Sequence, residues 1–84
     1  MATLSKRYWL TFSSKSLMES PILWRMSRAY PDVVFDIRQA SFNDDMGIMA
    51  VLLSGEAEQV EAALQFLARQ GVTVEPIEKN VIEG

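Results

Sequence analysis

The sequence contains neither cysteine nor histidine. Without cysteine the chain forms no disulfide, no thiolate nucleophile and no iron–sulfur ligand, and without histidine it lacks the commonest metal ligand and neutral-pH general base. Carboxylates and lysines remain as possible catalytic groups, but a chain of 84 residues is too short to enclose a catalytic cleft easily. We therefore expect a protein that is not an enzyme and that carries no metal and no cofactor.

Long apolar runs and positive charge are also scarce. No run approaches the roughly 20 apolar residues of a membrane span, and the mostly polar start of the chain is not followed by the apolar segment of a signal peptide. The net charge of −3 argues against binding to nucleic acids, which depends on Lys and Arg that neutralise phosphates. We expect a cytoplasmic protein with neither a membrane nor a nucleic-acid partner.

The composition fits one small globular domain. Apolar residues make up 49% of the chain and charged residues 23%, which is the balance of a folding domain rather than of a disordered segment. A chain this short buries only about 60% of its unfolded surface, so it is marginally stable alone. Pairing with a second copy supplies the buried area that the single chain lacks.

The first half of the chain predicts a strand followed by a helix. Residues 8–13 alternate between two sides, which is the period of a half-buried strand. Ser20 is predicted as the N-cap of the helix and Pro21 as its first residue. The helix ends at Pro31, because a proline disfavours helical geometry in the residue before it.

The second half predicts a hairpin, a helix and a short strand. Residues 33–42 are rich in β-branched and aromatic side chains, and a turn rich in Asn and Asp separates them from an apolar run at 48–53. A second helix follows and ends where Gly71 fits a left-handed C-cap. Residues 72–74 predict a fourth strand, which Pro76 limits.

The resulting order, β-α-β-β-α-β, is that of the ferredoxin-like split βαβ fold of the α+β class. Two helices cover one face of a four-stranded antiparallel sheet, whose first and third strands are central. We expect residues 6–78 to form this domain and residues 79–84 to form a flexible tail. Because every residue from 48 to 53 is apolar, the pattern alone does not say which face of the third strand is core.

Seven short segments, in order along residues 10–77, carry a family resemblance: 20–22, 36–38, 46–47, 53–55, 62–67, 71–72 and 74–75. Together they resemble the NIL domain, a ferredoxin-like module found at the C-terminus of methionine-import ABC transporter ATPases and beside ferredoxin modules. Asp36, Ile37 and Arg38 stand where that family has its Asn-Ile-Leu signature. The resemblance favours Met49 and the alternate residues that follow it as the core side of the third strand.

The resemblance implies a domain that pairs with a copy of itself and that, in the transporter, binds methionine near the pairing surface to inhibit transport. Asp36 and Arg38 depart from the signature, yet a carboxylate attracts the ammonium group of an amino acid and a guanidinium attracts its carboxylate. The alternative for these two residues is a solvated surface ion pair. The predicted ligand-binding residues are Asp36, Arg38, Met46, Gly47 and Ile48.

The second strand is the longer of the two edges and contains no proline. A long edge of unpaired backbone groups invites a further strand, and an antiparallel copy of itself satisfies both chains symmetrically. We therefore expect a homodimer through this strand. The residues predicted for the dimer or docking surface are Trp9, Phe35, Ile37, Ala40, Phe42, Ala50 and Leu52.

Two functions from different classes remain open. The first is a regulatory module that binds a small, methionine-like amino acid at a dimer interface. The second is a protein-docking adaptor with no small ligand, which serves a separate redox or transport partner. The sequence shows no ATPase and no cluster domain, so we expect a free-standing module in either case.

Overall fold

The computed structural model describes residues 2–77 and confirms the predicted α+β class. Within this range the strands are β1 (Thr3–Phe12), β2 (Val34–Phe42), β3 (Gly47–Glu56) and β4 (Thr73–Pro76). The helices are α1 (Lys15–Glu19), α2 (Ile22–Ala29) and α3 (Ala57–Arg69). No helix in residues 2–77 has the length and apolarity needed to cross a membrane. The predicted tail, residues 79–84, and residue 78 lie outside the described residues.

The sheet is antiparallel and has the strand order β2-β3-β1-β4. β1 and β3 are central, as predicted, and they pair over ten residues, from Thr3 opposite Glu56 to Phe12 opposite Gly47. β1 starts five residues before its predicted start at Tyr8, because β3 continues to Glu56 and gives the polar beginning of β1 a partner. β4 pairs with only four residues of β1, from Tyr8 to Thr11.

The core lies between the helices and one face of the sheet. Met49, Val51 and Leu53 of β3 are at most 7% exposed, so these residues form the core side of the third strand. The core side of β1 packs beside them, and α3 packs against β1, β3 and β4. The other buried side chains of the core are Tyr8, Leu10, Phe12, Ile22, Met26, Val33, Val60, Ala63, Leu67 and Val72.

The prediction that Ser20 caps the first long helix is wrong. The first helical hydrogen bond of α2 runs from the Arg25 amide to the Pro21 carbonyl (3.0 Å), so Pro21 is the N-cap. Ser20 instead ends α1, and its hydroxyl accepts from Nη1 of Arg25 (2.9 Å). Lys15–Glu19 before it form α1, because the Ser14 hydroxyl accepts from the Leu17 amide and caps this short helix.

The end of α3 is a Schellman motif. The Val72 amide donates to the Leu67 carbonyl (3.1 Å), and the Gly71 amide donates to the Ala68 carbonyl (3.0 Å). Gly71 has a φ of +103°, in the left-handed region that glycine enters without a steric penalty. The predicted left-handed C-cap at Gly71 is therefore confirmed, and it turns the chain directly into β4.

We predict that Gly71→Ala lowers the free energy of unfolding by about 1–2 kcal/mol, because a Cβ disfavours the left-handed backbone. Urea unfolding followed by circular dichroism measures the change. Gln65→Ala, on the exposed side of α3, is the control and is expected to stay within about 0.5 kcal/mol of the wild type. Equal stability of Gly71→Ala and the wild type would contradict this account of the helix end.

Candidate functional site

The edge strand β2 is the least covered part of the sheet. Helix α3 packs against the other three strands, while every residue of β2 except the half-buried Phe35 is exposed. Six large apolar residues are exposed among residues 2–77, and five of them lie on β2, on the turn after it or at the start of β3. They are Val34, Ile37, Phe42, Met46 and Ile48. This end of the molecule thus offers both unpaired backbone and apolar side chains.

The open face of the sheet carries charged residues on both sides of an apolar strip. Leu52 of β3 lies opposite Asp36 on β2 and opposite Arg7 on β1. Because paired residues in adjacent strands share a face, the row Asp36–Leu52–Arg7 places a carboxylate and a guanidinium on either side of an apolar side chain. The alternating pattern of the sequence did not predict this position of Arg7, because that pattern begins only at Tyr8.

Asp36 and Arg38 form an exposed ion pair. The distance from Nη1 of Arg38 to Oδ2 of Asp36 is 3.6 Å, and both side chains are more than half exposed. A register shift between Ile37 and Gln39 leaves Arg38 without a partner on β3, which is the mark of a β-bulge. An exposed pair of this kind contributes only about 0–1 kcal/mol to stability. Because both side chains are exposed, both charged groups are accessible to a ligand.

The other predicted ligand residues lie away from this pair. Gly47 faces the Phe42 ring across the hairpin, and a Cβ at Gly47 would collide with that ring; the glycine is explained by packing. Ile48 lies on the open face, but four residues along β3 from Leu52, which is roughly 14 Å at the rise of an antiparallel strand. Within one chain, residues 46–48 are therefore not brought together with Asp36.

The predicted dimer or docking residues divide between the two sides of the sheet. Trp9 and Leu52 are half-buried on the open face. Ala50 is only 5% exposed, because it is flanked by Trp9 on β1 and Gln39 on β2, so it offers little free surface. The remaining residues pair with core-facing positions of β3 and lie on the helix side: Phe35, Ile37, Ala40 and Phe42.

A groove on the helix side was not predicted from the sequence. It has a volume of about 180 Å³ and lies where the break between α1 and α2 meets the ends of β1 and β2. Phe12 and Phe42 line the groove, with ring centroids 5.9 Å apart. The residues around them are Met18, Pro21, Leu23 and Trp24. No sequence pattern predicts this groove, since it depends on the packing of five separate elements: β1, α1, α2, β2 and β3.

Tyr8 lies on the core side of β1. Burial raises the pKa of its hydroxyl, and the carboxylate of Glu61 raises the pKa further. The phenol is therefore protonated at neutral pH. Since Tyr8 is only 5% exposed, its ring serves the packing between β1 and α3 rather than the open face.

These features define a ferredoxin-like α+β domain with an uncovered edge strand. The family model of the NIL domain matches residues 6–76, and the chain belongs to this family. Among solved structures, it is similar to the C-terminal domain of an ABC transporter ATP-binding protein from Enterococcus faecalis. The two share 23% identity with a TM-score of 0.71, over 89% of this chain and 86% of the other. No curated protein sequence matches significantly.

We predict that the protein forms a dimer through β2, with a mass in light scattering of twice the 9.5 kDa of the chain. Asp36→Pro deletes a backbone donor from β2 and is expected to give a monomer, because an edge strand interrupted by proline pairs poorly. A wild-type protein that stays monomeric from micromolar to millimolar concentration would refute this arrangement.

Ile37→Lys provides a second test that leaves every backbone donor in place. Ile37 is 47% exposed, so the lysine is compatible with the fold, while a charge on an edge strand opposes pairing. Gln65→Lys, on the exposed side of α3, adds the same charge away from β2 and is expected to remain dimeric. Dissociation of both lysine variants would indicate a charge effect that is not specific to β2.

Proposed function

We propose that the protein is a regulatory module that binds a methionine-like amino acid at the interface between two copies paired along β2. Membership of the NIL family and likeness to the C-terminal domain of a transporter ATP-binding protein support the regulatory role. The observation that supports an amino-acid ligand is the row of opposite charges around Leu52, next to an uncovered edge strand.

The chemistry of this row suits a zwitterion with an apolar side chain. The Asp36 carboxylate accepts hydrogen bonds from an ammonium group, and a guanidinium donates to a carboxylate in a charge-assisted pair. Arg38 and Arg7 supply two such guanidiniums near Asp36. The apolar side chain of the ligand then packs on Leu52 and Trp9, both of which are half-buried.

In a dimer, the Ile48 end of the open face of one chain would approach the charged row of the other. If two antiparallel β2 strands pair about a point between Arg38 and Gln39, the partner's Asp36 lies opposite Ser41 of the first chain, on the same face. Ser41 is opposite Ile48 of β3, so the partner's Asp36 approaches the Ile48 end of the open face. In this arrangement Ile48 of one chain is added to the row that Asp36, Leu52 and Arg7 form in the other.

We predict that methionine raises the melting temperature of the protein. A ligand present at one hundred times its Kd stabilises the folded state by about 2.7 kcal/mol, which in a domain of this size shifts Tm by roughly 10 °C or more. Asp36→Ala is expected to abolish the shift with little change in the Tm of the ligand-free protein, because the Asp36–Arg38 pair is exposed.

Asp44→Ala is the matched control, since Asp44 is an exposed carboxylate in the turn between β2 and β3. It is expected to respond to methionine as the wild type does. Absence of any shift at millimolar methionine would contradict the ligand proposal. An equal rise of Tm in Asp36→Ala and in the wild type would show that methionine binds at a site on the domain that does not include Asp36.

The second candidate function is a protein-docking adaptor without a small ligand, serving a separate redox or transport partner. The observation that favours it is the exposed apolar surface around β2 and the groove beside Trp24. A wild-type protein that does not respond to methionine but captures a defined protein partner would support the adaptor.

A further inference from the structure

We propose that the groove at the break between α1 and α2 is a docking pocket for an acidic segment of a partner protein, which inserts one bulky apolar side chain. The pocket is on the helix side of the sheet, whereas the amino-acid site is on the open face. The inference therefore requires neither methionine binding nor pairing along β2.

The volume of the groove suits one apolar side chain of a partner rather than a larger ligand. Ligand pockets for drug-sized molecules and cofactors measure roughly 300–1,000 Å³, while an apolar cavity of about 150 Å³ accommodates a benzene ring. At about 180 Å³, this groove matches one leucine, methionine or phenylalanine side chain. Phe12, Phe42, Met18 and Leu23 give it a largely apolar lining.

The exposed Trp24 side chain indicates that the groove is a protein-docking surface. It lines the groove and is 58% exposed, although tryptophan buries a large apolar area when it packs. Exposed Trp and Arg residues beside a pocket are the residue types that dominate the energetics of protein interfaces. Phe42, 47% exposed at the far side of the groove, adds a second aromatic surface for the same partner.

Two arginines of α2 lie beside the groove, although the whole chain carries −3. No acidic residue occurs between Ser20 and Pro31. Nη1 of Arg25 donates to Ser20, which lines the groove, and the guanidinium of Arg28 lies 5.3 Å from the centre of the Trp24 ring. Among residues 2–77 neither arginine forms an ion pair. Both guanidiniums are thus held beside the groove and available to carboxylates of a partner.

A random peptide library displayed on phage, selected on the full chain, tests the proposal. We expect the enriched peptides to combine one Leu, Met or Phe with two or more acidic residues. Binding of a synthesised enriched peptide, measured by fluorescence anisotropy, should weaken as salt is raised, because exposed charge interactions are screened. Failure to enrich any peptide family, or enrichment of peptides without acidic residues, would overturn the proposal.

Two variants locate the binding. Trp24→Ala, and separately the double change Arg25→Glu with Arg28→Glu, should each weaken binding by roughly tenfold or more, as expected for interface anchors. Val34→Ala and Arg69→Glu are the controls, since they alter an exposed apolar residue on β2 and an exposed arginine on α3. Circular dichroism checks that each variant is folded. Trp24→Ala removes an apolar side chain, whereas the double variant reverses two charges. If one of the two fails to fold, the other still tests the proposal.

Equal binding by the test and control variants would overturn the proposal. The oligomeric state is measured alongside, because a second copy is another conceivable occupant. A wild-type assembly larger than a dimer that Trp24→Ala reduces would assign the groove to self-association and would also overturn the proposal. Loss of the methionine response in Asp36→Ala, with unchanged peptide binding, would show that the two sites act separately.

Discussion

Ten consecutive residue pairs join β1 to β3, and the rest of the fold depends on this ladder. It sets Tyr8 beside Val51 and Leu10 beside Met49, so the core side chains of both central strands form one continuous surface. The helices α2 and α3 close on this surface and bury Met26, Val60 and Leu67 completely. A register error of one residue between β1 and β3 would turn the core side chains of one of these strands to the open face.

The same ladder determines what remains uncovered. The helices pack over the central strands and β4, which leaves β2 as a nine-residue edge with apolar side chains on both sides. β4 is only four residues long and ends at Pro76, so it is a poor template for a further strand. The proposed dimer, the amino-acid site and the groove beside Phe42 all follow from this asymmetry between the two edges.

The sequence predicted most of the elements, because their signals are local. α3 has an apolar stripe and a glycine, Gly71, directly after its C-cap, and both features depend only on residues close in the chain. The prediction failed at Ser20, because the residues around it satisfy the requirements of either helix terminus and the tertiary packing of Leu17 and Met18 decides between them. The bulge at Arg38, the row that includes Arg7 and the groove arise from pairing between distant segments, which single-sequence periodicity does not reveal.

The central claim is that β2 is the edge along which two chains pair, and hydrogen exchange tests it most directly. Backbone amides that enter interchain hydrogen bonds exchange slowly, because exchange requires the interface to open. Exchange measured by mass spectrometry at micromolar and at millimolar protein concentration should slow within residues 34–42 at the higher concentration and stay unchanged within residues 73–76. Exchange in residues 34–42 that is fast and independent of concentration would contradict the account.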